Sequence, residues 1–81
     1  MKLPRDLSGE QLARLLRRFE YEITRQTGSH LRLTSKLQGA EHHVTIPAHS
    51  TLKVGTLSAI LADVAAYLRM DRATLAEELF N

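Results

Sequence analysis

The stretch Leu12–Thr24, LARLLRRFEYEIT, decides the fold because its apolar period changes from helical to alternating. Up to Phe19 the apolar residues recur three and four positions apart, which predicts an amphipathic helix. From Tyr21 onward, Tyr21 and Ile23 alternate with polar residues, which predicts a half-buried strand. A helix followed directly by a strand is therefore expected here.

The segment before this stretch carries a helix-start signal. Ser8 and Gln11 fit the S-x-x-Q capping box, and Leu7 and Leu12 occupy the positions of a hydrophobic staple. We therefore expect the helix to begin at Gly9. Its outer face is basic, which is typical of an ordinary solvated helix surface or of a surface that contacts a nucleic-acid backbone; the residues are Arg14, Arg17 and Arg18.

A second strand is expected after the turn residues Gln26–Ser29. Leu31 and Leu33 alternate with polar residues and are predicted to face the core. The outward set of this strand includes His30 and Arg32, which places a histidine and an arginine on the other face of the sheet.

A third strand is expected at about His42–Ile46, and Pro47 ends it because proline cannot donate a hydrogen bond to a ladder. His42 and His43 are adjacent, so they point to opposite faces of the strand and cannot jointly hold one metal ion as an i, i+4 helical pair can. Cysteine is absent. We therefore predict no metal site and no cofactor.

Two helices are expected after the strands. Thr56 is the predicted N-cap of the first, whose apolar residues recur from Leu57 to Leu68, and Asp71 is the predicted N-cap of a short second helix. The order helix, three strands, helix, short helix defines an α+β fold, a three-stranded antiparallel sheet with helices on one face. We expect residues 1–81 to form a single domain whose other sheet face is open.

Length and composition exclude several classes of protein. The chain has 81 residues, a net charge of +2 and no cysteine, which excludes disulfides and cysteine chemistry and leaves no room for a deep interdomain cleft. No stretch approaches the roughly 20 apolar residues of a membrane span, and Met1–Asp6 lacks a signal-peptide core, so a cytoplasmic protein is expected. Residues 1–54 carry an excess of basic side chains and residues 55–81 an excess of acidic ones.

The most plausible acid–base group is His30. It follows Gly28-Ser29 at the start of a strand, and Arg25 and Arg32 are within a side chain's reach. Cations on the non-bridging oxygens and an acid–base group at a ribose hydroxyl or leaving oxygen are what cleavage of an RNA phosphodiester needs. An exposed histidine beside a turn is the ordinary structural explanation of the same residue.

Other candidates are less distinctive. His49, two residues after Pro47, contacts a phosphate or merely caps the following turn. Gly55 and Thr56 present backbone amides to an anion or form a plain helix cap. No aromatic platform accompanies the basic residues, so base stacking on a sheet is not indicated.

Taken together, these residues resemble the HicA-type toxins of bacterial and archaeal toxin–antitoxin modules over roughly residues 8–62. Four stretches in this order carry the resemblance: Ser8–Leu12, Arg25–His30, Val44–His49 and Gly55–Leu61.

The resemblance implies a fold similar to the double-stranded RNA-binding domain. It also implies an mRNA interferase, an endonuclease that cleaves mRNA without the ribosome and is silenced by a HicB-type antitoxin bound over the catalytic histidine. The histidine of the family's Gly-Ser-His motif corresponds to His30, preceded by Gly28 and Ser29. The hypothesis is metal-independent transesterification in which His30 serves as general base or general acid, and the phosphate is stabilised by Arg25, Arg32 or Lys36. His43, His49 or water supplies the second proton-transfer role.

The chain departs from the family pattern in three places. Relatives commonly have Gly-Phe where this chain has Glu20-Tyr21, Leu31 follows the histidine, and residues 66–81 extend past the usual end. The extension is expected to complete the core or to bind the antitoxin. Two alternatives remain open: a non-catalytic RNA-binding module that grips the backbone, and a small protein-interaction domain.

Overall fold

The computed structural model describes residues 3–81. Met1 and Lys2, which open the segment Met1–Asp6, lie outside the described residues. The described elements are α1 Gly9–Leu16, a 3₁₀ turn Arg17–Phe19, β1 Glu22–Thr27, β2 His30–Ser35, β3 His42–Pro47, α2 Val54–Leu68 and α3 Arg72–Phe80. The strands form one antiparallel sheet in the order β1-β2-β3. The predicted α+β class, strand number and helix order are confirmed.

The start of α1 follows from its local sequence. The Ser8 hydroxyl accepts from the Gln11 N–H at 3.2 Å, and the Gln11 side chain accepts from the Ser8 N–H at 2.9 Å. Both halves of the predicted capping box are therefore made, and the helix begins at Gly9 as expected.

Gly9 also fixes where α1 packs. A Cβ added at this residue would lie 1.6 Å from the Pro47 carbonyl oxygen, and the Glu10 N–H donates to the Ala48 carbonyl at 3.1 Å. Only glycine allows the backbone of the first helical turn to approach the end of β3 so closely. The N-terminus of α1 therefore lies against the end of β3.

The core lies between the sheet and the helices. Leu31 and Leu33 of β2 and Ile46 of β3 are fully or almost fully buried against α1 and α2. Leu75 and Leu79 of α3 are buried in the same cluster, so the C-terminal extension contributes to the core. Arg18 joins α3 to the end of α1, since its guanidinium donates to the Glu78 carbonyl and lies 3.4 Å from the Glu78 carboxylate.

Two expectations were wrong. β1 was predicted to be half-buried, but its residues are exposed; Ile23 lies on the helix side opposite Leu33 yet is 54% exposed, because the helical layer leaves this edge strand uncovered. Thr56 was predicted as the N-cap of α2, but the N-cap is Lys53 and the helix begins at Val54, three residues earlier than predicted. Leu52 is buried and its N–H donates to the Leu7 carbonyl at 2.8 Å, which fixes the chain just before the helix. Asp71 caps α3 as predicted.

Candidate active site on the open sheet face

The face of the sheet opposite the helices carries three rows of side chains. Strand pairing aligns the rows as Thr27–His30–Pro47, Arg25–Arg32–Thr45 and Glu22–Thr34–His43. Along β2 and β3, successive rows are two residues apart, which is about 7 Å. The row that contains Arg25 and Arg32 therefore lies between a row that contains His30 and a row that contains His43.

The turn that begins β2 places His30 in the first row. Gly28 and Ser29 are the two central residues of the hairpin that pairs Thr27 with His30, and Gly28 has φ of +56°. Hairpins of this length favour glycine at that position because it must take positive φ. A Cβ at Gly28 would meet no atom within 4 Å, so the turn conformation, rather than close packing, accounts for the glycine.

His30 is exposed, and its imidazole has no hydrogen-bond partner among residues 3–81. The backbone around it is held firmly, since the Ser29 carbonyl accepts from the Ala48 N–H at 2.7 Å. The strand therefore fixes the position of the His30 backbone and leaves both ring nitrogens free for a ligand.

The central row depends on a β-bulge. The pairing shifts between Ile23 and Arg25, so Thr24 is the extra residue and Arg25 stands directly opposite Arg32. Without the shift, strict alternation would turn Arg25 toward the helices. Neither guanidinium forms an ion pair within residues 3–81. Two like charges opposed on one face repel each other, which an anion between them would relieve.

The third row holds a chain of hydrogen bonds. His43 Nδ1 lies 2.8 Å from Thr34 Oγ1, which lies 2.8 Å from Thr24 Oγ1, and Thr24 Oγ1 donates to the Arg32 carbonyl at 3.3 Å. Thr34 is only 8% exposed although it faces outward. The chain fixes the orientation of the His43 ring.

A shallow groove of about 710 Å³ joins the second and third rows. Its cationic lining comes from Arg17, Arg25, Arg32 and Lys36, and its acidic lining from Glu20, Glu22 and Glu41. His43 also lines it, while His30 stands just beyond its end in the next row. Near the third row the three acidic side chains offset Arg17 and Lys36, whereas the arginine row contains no acidic residue and is therefore the most favourable position for an anion.

The predicted site residues divide into three groups. Gly28, Ser29 and His30 lie at one end of the sheet, and His49 follows the strand end that pairs with His30. Arg25 and Arg32 lie opposite each other in the middle row, one row from His30. Lys36 lies beyond the other end of β2, six residues and about 20 Å from His30, so it does not share a phosphate with it.

His49 turns toward α1 rather than the arginine row. Its Nδ1 lies 3.9 Å from the Glu10 carboxylate, and the side chain is largely exposed. Because Ala48 before it is buried and bonded to both Ser29 and Glu10, the backbone here is rigid. The contact with Glu10 favours the structural explanation of His49.

His42 and His43 point to opposite faces, as predicted. On the helix side, the Tyr21 hydroxyl lies 2.6 Å from His42 Nδ1, and His42 Nε2 lies 3.0 Å from the Asp63 carboxylate. The His42 ring also stacks on Tyr67, with centroids 4.7 Å apart. Burial, followed by the nearby Tyr67 and Asp63, raises the pKa of Tyr21. This network joins the buried Tyr21 and β3 to α2 on the helix side of the sheet, opposite the face that carries His30 and His43.

Sequence reasoning missed the role of Thr24 and Thr34. The signal available was the outward position of Thr34 beside His43, but the bulge that brings Thr24 to them has no local signature. Among residues 3–81, no group of three His, Asp or Glu side chains is arranged to hold a metal ion. None of the helices formed by these residues has the length and apolar character needed to cross a membrane.

The three-stranded antiparallel sheet with helices on one face defines an α+β fold that resembles the double-stranded RNA-binding domain. The family model described as HicA toxin of bacterial toxin-antitoxin matches residues 9–65. The chain therefore belongs to the HicA toxin family. Membership implies that it is the toxin of a toxin–antitoxin system and that it has a cognate antitoxin. No curated protein and no solved structure matches it significantly.

Proposed function

We propose that this protein is an mRNA interferase that cleaves RNA by metal-independent transesterification, with His30 as a catalytic residue. The observation that carries the proposal is the position of His30, which is exposed, has no hydrogen-bond partner among residues 3–81 and lies one row from the opposed Arg25 and Arg32. Membership of the HicA toxin family supports the same chemistry.

The arginine row supplies the electrostatic part of the mechanism. A phosphodiester between Arg25 and Arg32 receives hydrogen bonds from two opposed cations, and negative charge that develops on its non-bridging oxygens is stabilised there. The repulsion between the two guanidiniums falls at the same time. The pair is therefore expected to bind phosphate in the ground state and to bind the transition state more strongly.

His30 supplies proton transfer. It acts as general base on the ribose 2′-hydroxyl or as general acid at the leaving 5′-oxygen, and a second group or water performs the other role. The substrate provides its own nucleophile, so the protein needs no deep pocket and no metal ion. Cleavage in this way leaves a 2′,3′-cyclic phosphate on one fragment and a 5′-hydroxyl on the other.

The test is incubation of labelled RNA with the purified chain in EDTA, beside His30→Ala and His49→Ala. We expect cleavage by the wild type, a loss of at least about a hundredfold in His30→Ala, and a small change in His49→Ala. Undiminished cleavage by His30→Ala would reject the catalytic role. Salt-sensitive RNA binding without products would favour a non-catalytic RNA-binding module instead.

We also propose that a HicB-type antitoxin neutralises the protein by covering His30. The exposed turn at Gly28 and Ser29 leaves the histidine accessible to a protein as well as to RNA. Expression of the wild type should arrest bacterial growth, and co-expression of a HicB-like protein encoded beside it should restore growth. Arrest by His30→Ala equal to that of the wild type would contradict the link between toxicity and this site.

A further inference from the structure

We propose that His43 is the general base of the reaction, which leaves His30 as the general acid. This inference rests on the proposed function and assigns the proton-transfer role that the function leaves open. Three observations carry it: the direction of the hydrogen-bond chain behind His43, the position of His43 across the arginine row from His30, and the groove that His43 shares with Arg25 and Arg32.

The hydrogen-bond chain selects one tautomer of His43. Each threonine hydroxyl has a single hydrogen to donate. Thr24 donates to the Arg32 carbonyl, so the Thr24 oxygen accepts from Thr34, and the Thr34 oxygen accepts from His43. All three bonds form at once only in this direction. His43 in its neutral form therefore carries its hydrogen on Nδ1.

This tautomer leaves a lone pair on His43 Nε2. Among residues 3–81 no protein group hydrogen-bonds to that nitrogen, and the side chain is exposed. An imidazole whose Nδ1–H is held by a fixed acceptor, with Nε2 free, is the arrangement that general bases adopt. The threonine chain thus orients His43 to accept a proton from a ligand.

The ligand is the ribose 2′-hydroxyl of the nucleotide whose phosphate binds the arginine row. His43 and His30 lie in the rows on either side of Arg25 and Arg32, each about 7 Å from them along the strands. In-line displacement at phosphorus places the attacking and leaving oxygens on opposite sides. Two histidines on opposite sides of the phosphate match that requirement.

Two proton transfers accompany cleavage of the phosphodiester, one to His43 and one from His30. His43 Nε2 takes the proton of the 2′-hydroxyl, and the 2′-oxygen forms a bond to phosphorus. The bond from phosphorus to the 5′-oxygen breaks, and His30 gives its proton to that oxygen. The products are a 2′,3′-cyclic phosphate and a 5′-hydroxyl, and exchange of protons with water returns both histidines to their starting forms.

The groove explains why His43, rather than His49, has this role. His43, Arg25 and Arg32 line one continuous surface, whereas His49 contacts Glu10 at the N-terminus of α1. At the His43 end of the groove the acidic lining residues offset the cations of Arg17 and Lys36, whereas the row of Arg25 and Arg32 contains no acidic residue, so the phosphate binds the arginine row. The neutral 2′-hydroxyl is the part of the nucleotide that suits the His43 end.

A sulfur-substituted RNA separates the acid from the base. When the scissile 5′-oxygen is replaced by sulfur, the leaving thiolate needs no protonation, so loss of the general acid no longer matters. On ordinary RNA we expect His30→Ala and His43→Ala each to lose at least about a hundredfold in cleavage rate. On the sulfur-substituted RNA we expect His30→Ala to recover to within about tenfold of the wild type and His43→Ala to remain impaired.

Thr34→Val provides a variant that keeps His43 and removes the hydroxyl that accepts its Nδ1–H and donates to Thr24. Its cleavage rate should fall about tenfold on both RNA substrates. Thr56→Val, the same substitution at a site in α2, should cleave both at the wild-type rate. Thermal unfolding of each variant shows whether it is folded. If folded His43→Ala cleaves ordinary RNA at the wild-type rate, or recovers its rate on the sulfur-substituted RNA, then His43 is not the general base. A wild type that cleaves neither RNA would overturn the proposed function, and the role of His43 with it.

Discussion

Arg25 of β1 stands directly opposite Arg32 of β2 on the open face of the sheet. Like charges in this position destabilise a sheet by roughly 0.2–1 kcal/mol relative to neutral pairs. A protein that keeps them opposed loses a little stability and gains a site at which two cations meet one phosphate. The pair therefore links the stability of the free protein to its affinity for RNA.

The first prediction follows from this pair. Arg25→Gln should raise the free energy of unfolding in the absence of RNA by about 0.2–1 kcal/mol at low salt, because the repulsion is removed. The same change should weaken RNA binding and reduce its salt dependence. Denaturant unfolding and fluorescence anisotropy measure the two effects. Arg5→Gln, which removes the same charge elsewhere, is the control, and an equal gain in stability there would contradict the explanation.

The second prediction concerns the contact between α1 and β3. Gly9→Ala should destabilise the protein by about 1–3 kcal/mol or more, because the new methyl group overlaps the Pro47 carbonyl. Gly55→Ala is the matched control: its Cβ meets no atom within 4 Å, and alanine favours the helix by about 0.5–1 kcal/mol. Chemical denaturation should therefore shift in opposite directions. Equal stability of Gly9→Ala and the wild type would show that the helix end tolerates displacement.

A third prediction concerns Glu20, which has φ of +65° after the 3₁₀ turn. A side chain in this conformation costs roughly 1–2 kcal/mol, part of which glycine recovers. Glu20→Gly should therefore raise the free energy of unfolding by about 0.5–1 kcal/mol. Glu20→Gln removes the charge and keeps the Cβ, so it should not reproduce the gain. If both variants gain equally, charge and not backbone conformation is the cause.

The fourth prediction is the pH dependence that Tyr21 produces. Burial raises the pKa of Tyr21 in the folded protein, whereas an unfolded tyrosine ionises near pH ~10. The unfolded state therefore loses its proton first, and stability falls as the pH rises above about 10. Tyr21→Phe should flatten this fall and cost about 1–2 kcal/mol at neutral pH, because His42 Nδ1 loses its hydrogen-bond partner while His42 Nε2 keeps Asp63. Tyr67 is retained, so the difference between the two pH profiles reports on Tyr21.

Local signals predicted the elements of the fold well. The capping box of Ser8 and Gln11 acts within one helical turn, and the opposite faces of His42 and His43 follow from strand geometry alone. The exposure of Ile23 was not predictable in the same way, because alternation does not say which strand is at the edge or how far the helices reach across the sheet.

The candidate site was only partly predictable for the same reason. The tight turn before His30 has a local signature in Gly28 and was found. The position of Arg25 depends on a bulge, and the link from Thr24 to His43 crosses three strands, so both depend on register. Lys36 was grouped with His30 by sequence proximity, but an extended strand separates them.

The chemical groups at the ends of the RNA fragments distinguish metal-independent transesterification from hydrolysis that leaves a 5′-phosphate. A defined RNA is cleaved by the purified wild type in EDTA, beside His30→Ala, and the termini of the fragments are identified by mass spectrometry. Transesterification through His30 should give a 2′,3′-cyclic phosphate and a 5′-hydroxyl with the wild type, and almost no product with His30→Ala. Fragments that end in a 3′-hydroxyl and a 5′-phosphate, or equal cleavage by His30→Ala, would contradict it.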